Sequence, residues 1–198
     1  ERKNLENIRK GEYEGLEQKL KDWIPDYGPT KYTDKVRRSG ATVIGSRFFL
    51  IAYNVNLNTR EVNVANEIAK KVRESGSMII DKAGKKKRVP GILKYVKAIG
   101  VELNEYNITQ VSLNLTNYKE TSMHEVFESI KAQAKAHGIE ATGSEIIGLV
   151  PKEALLEAGA FYTGNNVKNN LIEVAIEHLG LSQLNKFKPE KKIIENLL

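Results

Sequence analysis

Between Arg47 and Leu57 the side chains alternate, with Phe49, Ile51, Tyr53, Val55 and Leu57 on one side and Phe48, Leu50, Ala52, Asn54 and Asn56 on the other. A period of two predicts a strand with one buried face. Asn58, followed three residues later by Glu61, predicts a helix start, and Val62, Ala65, Ile68, Ala69 and Val72 then recur at the spacing of a buried helical stripe. DKAGKKKRVP, residues 81–90, reads as a basic loop. Strand patterns return from Tyr95 to Leu103 and from Ile108 to Thr116, and the short polar turn Asn104 to Asn107 joins them into a hairpin. Ser122 and Glu125 form a capping box before the stripe Met123, Val126, Phe127, Ile130 and Ala134, which Gly138 ends. Ile139 to Gly143 reads as a short closing strand.

The order strand, helix, strand, strand, helix, strand predicts an α+β fold. Its form is a ferredoxin-like βαββαβ antiparallel sheet with both helices on one face and the other face free. Extra C-terminal helices follow: one from Pro151 to about Phe161, one from Val167 to Leu179 capped by Asn166, and one started by Pro189. Ahead of the sheet, Leu5, Ile8, Tyr13, Leu16 and Leu20 trace an amphipathic helix broken near Gly11 and Gly15, which reads as the end of something larger. Next comes WIPDYGPTKYTDKVRRSG, residues 23–40, where Pro25, Gly28, Pro29 and Gly40 exclude a continuous helix while Trp23, Tyr27 and Tyr32 argue for order. So much irregular chain in a compact domain is expected to serve function.

The third strand carries the first chemistry. Val111, Leu113 and Leu115 point one way, and Gln110, Ser112 and Asn114 the other. In a ferredoxin-like sheet that strand lies beside the first, so its polar row joins Asn54 and Asn56 in one uncharged surface. Such faces are solvent-facing by default. Amides and a serine without charges, however, suit a surface covered by a ligand or a partner domain. Glu145, after a strand and a glycine, is a candidate base or a partner for a cationic group, against the plainer role of a capping or surface carboxylate.

Composition narrows the class. A chain of 198 residues, 40% hydrophobic and without cysteine, can bury a core unaided, and no apolar run spans a bilayer; a cytoplasmic protein without a membrane partner is expected. The net charge of +6 favours anionic partners without choosing among them. The basic cluster Lys82, Lys85, Lys86, Lys87 and Arg88 is most simply solvated, whereas Lys35, Arg37 and Arg38 fall inside the suspected loop. The histidines, His124, His137 and His178, share no metal-ligand spacing, and no P-loop, GxGxxG or GxSxG occurs, so no metal site is expected.

Five long strings, IRKGEYEGL, DWIPDYGPT, GATVIGSRFFLIAYNVNL, AIGVELNEYNITQVSLNLTNY and GSEIIGLVPKEALLEAGAFY, resemble glutamate formimidoyltransferase, the formiminotransferase domain of formiminotransferase-cyclodeaminase type proteins. The resemblance runs in order along nearly the whole chain. It implies folate-dependent transfer of a formimidoyl group between N-formimidoyl-L-glutamate and tetrahydrofolate, in histidine degradation, by a homodimer of chains with two α/β subdomains. Residues 1–46 would be the end of the N-terminal subdomain with the folate-binding loop, and residues 47–198 the C-terminal formiminotransferase subdomain. The family's folate segment matches Gly28, Pro29, Thr30, Lys31, Tyr32, Thr33, Asp34, Lys35, Val36, Arg37, Arg38, Ser39 and Gly40, where this sequence departs by a longer, more basic loop.

Those cations would attract the glutamate carboxylates of substrate or folate tail. Asn54, Asn56, Gln110, Ser112, Asn114 and Glu145 remain the sheet-face candidates. The family's catalytic histidine lies upstream of this chain, so the catalytic residue is not identified and activity is expected only with the N-terminal subdomain. The family pattern accepts Gln at the position of Glu145, which argues against an essential acid or base there. Two alternatives stand. A basic ferredoxin-like module binding RNA would need aromatics on its sheet face, and the strand ITQVSLNL has none. A catalytically inactive folate-binding relative would share every motif, and adding the N-terminal half would separate it from the enzyme.

Overall fold

The structure is a computed structural model describing residues 5–81, 84–164 and 170–198. It divides into two compact units, residues 1–47 and 48–198. In the first, helices α1 (Leu5–Arg9) and α2 (Leu16–Asp22) are separated at Gly11, whose φ of 84° breaks the helix, and Gly15. Lys19 Nζ donates back to the carbonyls of Ile8 and Lys10, which holds the two turns together. The stretch from Trp23 to Gly40 is not irregular throughout. Thr33 Oγ1 accepts the Val36 amide at 3.3 Å and opens a helix α3 (Asp34–Ser39), which Gly40 ends at φ 66°.

The second unit contains a four-stranded antiparallel sheet. Strands β1 (Ile51–Leu57), β4 (Val96–Leu103), β5 (Ile108–Leu115) and β6 (Ala141–Ile147) stand in the order β4-β5-β1-β6. Helices α4 (Val62–Val72) and α5 (Met123–Ala136) cover one face. Their stripes, Ala65, Ile68, Ala69 and Val72 on α4 and Met123, Val126, Phe127, Ile130 and Ala134 on α5, join Ile51, Tyr53, Val55, Leu57, Val111, Leu113 and Leu115 in one core. This is the expected split βαβ arrangement, since each strand's alternation sends one row into the helices and the other away.

Several local expectations are corrected. Pairing in β1 begins at Ile51 opposite Leu115, not at Arg47, and Phe48 and Phe49 are exposed. Asn58 does not cap α4. Its Oδ1 accepts the Glu140 amide at 2.7 Å, and the helix starts at Val62 after Glu61. The basic segment is half of a hairpin, β2 (Ser77–Ile80) paired with β3 (Lys86–Val89), although Lys82 lies outside the described residues. Ser122 does cap α5, accepting the Glu125 amide at 3.4 Å. The closing strand is longer and later than expected, Ala141–Ile147, with a register shift against β1 at Asn56 and Leu57.

C-terminal helices α6 (Lys152–Thr163), α7 (Leu171–His178) and α8 (Pro189–Lys192) complete the unit. Asn166 lies outside the described residues, and Asn170 caps α7 by accepting the Ile172 amide at 3.2 Å. Val150, just beyond the last strand, and Ile193 form an isolated parallel bridge. Among the described residues no helix is long and apolar enough to cross a membrane.

Candidate functional site

The sheet face turned away from α4 and α5 carries the candidate side chains. β1 pairs with β5 so that Asn54 stands opposite Ser112 and Asn56 opposite Gln110, and it pairs with β6 so that Asn54 stands opposite Glu145. Strand alternation thus brings five of the expected residues side by side, with Asn114 one step further along opposite Ala52. Glu145 is inside a strand, not at a strand end or helix cap as its flanking glycine suggested.

Four of these residues form a connected network. Gln110 Nε2 donates to Asn56 Oδ1 at 2.7 Å and to Glu145 Oε1 at 2.9 Å. Asn54 Nδ2 donates to Gln110 Oε1 and to Glu145 Oε1, both at 3.2 Å. Gln110 is 2% exposed and Asn56 fully buried, so these bonds satisfy amides that would otherwise be costly to bury. Ser112 is half-buried and Asn114 exposed, and neither hydrogen-bonds to the network.

A fifth member was not foreseen. Gln183, in the segment after α7, accepts from Asn56 Nδ2 at 2.5 Å. It reaches the sheet because Gly143 and Gly180 let two backbones touch. A Cβ on Gly143 would stand 2.6 Å from Gln183 Cβ and 2.8 Å from the Gly180 carbonyl oxygen. The Ser144 amide donates to that same carbonyl at 3.1 Å. A glycine inside a strand pattern is the one sequence signal of such an approach.

The core side of the same strands is chemically quiet. Tyr53 is fully buried, and burial pushes its phenol far above the ordinary value although its hydroxyl donates to Ser144 Oγ at 2.9 Å. The histidines stand on the helices. His124 opens α5 with its ring stacked on Phe161 at 4.3 Å, and burial holds its pKa below the ordinary value. His178 ends α7, stacked on Tyr162 at 4.6 Å, and His137 caps α5, 3.9 Å from Glu67. None joins the sheet-face network, and among the described residues no group of side chains has metal-binding geometry.

In the first unit, residues 28–40 are mostly exposed, apart from buried Val36 and half-buried Tyr32 and Gly40. Of the cations expected to attract carboxylates, Arg37 is paired with Asp34 at 3.3 Å, while Lys35 and Arg38 have no ion-pair partner among the described residues. The Arg37 carbonyl accepts from the Tyr13 hydroxyl, which ties α3 to the stretch before α2. A groove of about 810 Å³ within this unit is lined by Tyr13, Leu16, Lys19, Trp23, Tyr27 and Ile44, among others. Of the expected folate segment it touches Ser39 and Gly40, not the stretch from Gly28 to Arg38.

A family model described as "Formiminotransferase domain" matches residues 52–198, the unit that bears the network, and its companion for the N-terminal subdomain matches residues 1–47. The chain belongs to the formiminotransferase family. It is 47% identical, over its whole length, to a formimidoyltransferase-cyclodeaminase of Dictyostelium discoideum, of which it spans 36%. To the Mus musculus protein of the same name it is 42% identical with the same coverage. Over 82% of the chain it is 42% identical to a glutamate formimidoyltransferase of Streptococcus pyogenes, spanning 49% of that protein. The chain therefore spans about a third of the longer formiminotransferase relatives and about half of the shorter one. The basis for RNA stacking is also weak: Tyr53, the aromatic of β1, is buried among the helices, and the described strands place no aromatic on the open face.

Proposed function

We propose that this chain is the folate-loop and C-terminal part of a glutamate formimidoyltransferase. The reaction is transfer of the formimidoyl group between N-formimidoyl-L-glutamate and tetrahydrofolate in histidine degradation. The observation that carries the reading is the match to both formiminotransferase family models, from residue 1 to residue 47 and from 52 to 198. Relatives bearing the transferase name at 42% identity support it. The network on the open sheet face adds a physical reason, because buried and half-buried amides around a carboxylate suit a polar substrate better than bulk solvent.

In this reading the loop Gly28–Gly40 serves folate, with Lys35 and Arg38 as cations for the carboxylates of its tail. Asn54, Asn56, Gln110, Ser112, Asn114 and Glu145 form the substrate face. The chemistry is positioning of two substrates plus proton transfer at nitrogen. The proton-transfer group comes from the family's N-terminal subdomain, so turnover requires that subdomain together with this chain. The enzyme works as a cytoplasmic homodimer, without metal. Calorimetry with 5-formyltetrahydrofolate, on the chain combined with an N-terminal subdomain, is expected to show saturable binding. No detectable binding up to millimolar ligand would refute the assignment.

A further inference from the structure

Two polar side chains on the open sheet face take no part in its hydrogen-bond network. Ser112 and Asn114 of β5 have no side-chain hydrogen bond among the described residues. Asn114 stands between Ala52 of β1 and Lys97 of β4, and Ser112 stands between Asn54 and Ile99. Val96 and Ala98 belong to the core, so the alternation of β4 turns Lys97 and Ile99 to the open face. Lys97 is exposed there and Ile99 is 55% exposed. An ammonium, an amide, a hydroxyl and an aliphatic side chain thus occupy four adjoining positions on two strands. Ala52, on the other side of Asn114, offers no polar group to engage it.

This corner is rich in donors and distant from negative charge. Glu145 is the only carboxylate that strand alternation places on the open face of the four described strands. It lies two strands from Ser112, with Asn54 between, about 10 Å at the usual strand spacing. Its Oε1 serves Asn54 and Gln110, a role that needs one acceptor oxygen and that a glutamine would fill equally. Donors also remain on Asn56 Nδ2 and on Gln183 Nε2, whose Oε1 is held by Asn56. They sit beside Gln110, four positions along β5 from Asn114, about 14 Å away. The strand positions flanking that end are Val101 and Gly143, which carry no charge. A carboxylate on a short aliphatic chain fits the Lys97 corner instead. Its oxygens accept from Asn114 and Ser112, Lys97 balances its charge, and its methylenes lie against Ile99.

Resting on the transferase reading above, we infer that Lys97, Ser112 and Asn114 bind a carboxylate of the glutamate part of N-formimidoyl-L-glutamate. Folate also ends in glutamate, so the two sources share this chemistry. The substrate is the one assigned to the corner, because in that reading Lys35 and Arg38 serve the folate tail. Ser112 and Asn114 are substrate-binding residues, and Lys97 contributes charge that salt screens.

Calorimetry on the chain combined with its N-terminal subdomain tests this. N-formimidoyl-L-glutamate is compared with its two mono-amides, N-formimidoyl-L-glutamine and N-formimidoyl-L-isoglutamine, and 5-formyltetrahydrofolate is titrated separately. The amide that lacks the held carboxylate should bind the wild-type protein ~10-fold more weakly, the scale of a charge-assisted hydrogen bond. Asn114→Asp puts a negative charge where a donor stood. It should weaken N-formimidoyl-L-glutamate at least ~10-fold, with that amide changed by less than roughly 3-fold and 5-formyltetrahydrofolate unchanged. Lys97→Gln should weaken the glutamate compound about 3-fold at low salt and less at high salt. Both positions are exposed, so neither variant is expected to lose the fold, and the comparison of amides on the wild-type protein needs no variant. Binding of both amides as tight as that of the glutamate compound overturns the inference. So does an Asn114→Asp protein that keeps wild-type affinity for N-formimidoyl-L-glutamate, or one whose loss falls on 5-formyltetrahydrofolate, which would make the corner a folate-tail site. A wild-type protein that binds neither the glutamate compound nor folate refutes the transferase reading itself; one that binds both and tolerates Asn114→Asp refutes only this site.

Discussion

Gln110→Met removes the centre of the sheet-face network while keeping the volume of the side chain. Gln110 makes three hydrogen bonds, to Asn54, Asn56 and the carboxylate of Glu145, at 3.2, 2.7 and 2.9 Å. Neutral bonds of this kind contribute about 1 kcal/mol each and a bond to a charged group about 2, while Asn54 still reaches Glu145 and offsets part of the loss. Volume-conserving substitution adds little strain, so about 3 kcal/mol of destabilisation is expected, the bond to the Glu145 carboxylate being the largest single contribution. With a urea dependence of roughly 2 kcal/mol per molar, the unfolding midpoint should fall by about 1.5 M. Far-UV circular dichroism is the suitable probe, because the single tryptophan, Trp23, reports on the other unit. Asn114→Ala, on the exposed end of the same row, should shift the midpoint by less than about 0.3 M. Equal shifts for the two variants would show that the network contributes nothing and would refute the reasoning.

Gly143→Ala places a methyl group 2.6 Å from Gln183 Cβ and 2.8 Å from the Gly180 carbonyl oxygen, and it should cost about 2 kcal/mol. Thermal unfolding measures the cost, and hydrogen exchange at residues 180–183 should rise if the turn is displaced. His124→Phe should preserve the stack on Phe161 and flatten the acid limb of stability. Burial lowers the folded pKa of His124, so its contribution is fully present above the unfolded value of about 6.5 and is lost as pH falls through the folded value. Denaturation midpoints from neutral pH downward test this, and an unchanged slope in the variant would contradict it. Gly76→Ala forces a φ of 60° on a residue whose Cβ would meet the Val89 carbonyl at 1.8 Å. It should open the β2–β3 hairpin, visible as increased proteolysis between residues 77 and 89, without lowering the main unfolding midpoint by more than about 1 kcal/mol equivalent.

Helix α5 was fully legible, both in its Ser122 cap and in its five-residue stripe, because cap and periodicity are local signals that agree. The hairpin was not, because β3 is Lys86, Lys87, Arg88 and Val89, all exposed, and a strand that buries no face leaves no alternation to read. Helix α3 is too short for a period to emerge, and only Thr33 and Gly40 mark its ends. Asn58 misled because an asparagine between a strand and a helix can serve either, and here it anchors the return to Glu140.

At the site, Asn54, Asn56 and Gln110 could be grouped in advance, since strand parity and the ferredoxin-like strand order fix which side chains share a face. The inclusion of Glu145 depended on a strand whose bounds were misplaced by several residues. Gln183 depends on the path of the chain after α7, which no periodicity encodes.

The central claim is formimidoyl transfer, and its most direct measurement is product formation. N-formimidoyl-L-glutamate and tetrahydrofolate are incubated with the chain, with an N-terminal subdomain, and with both, and formimidoyl-tetrahydrofolate is followed by mass spectrometry. Turnover that requires both protein parts is predicted. Absence of the product from the combined protein, with folate binding intact in the same preparation, would contradict the account.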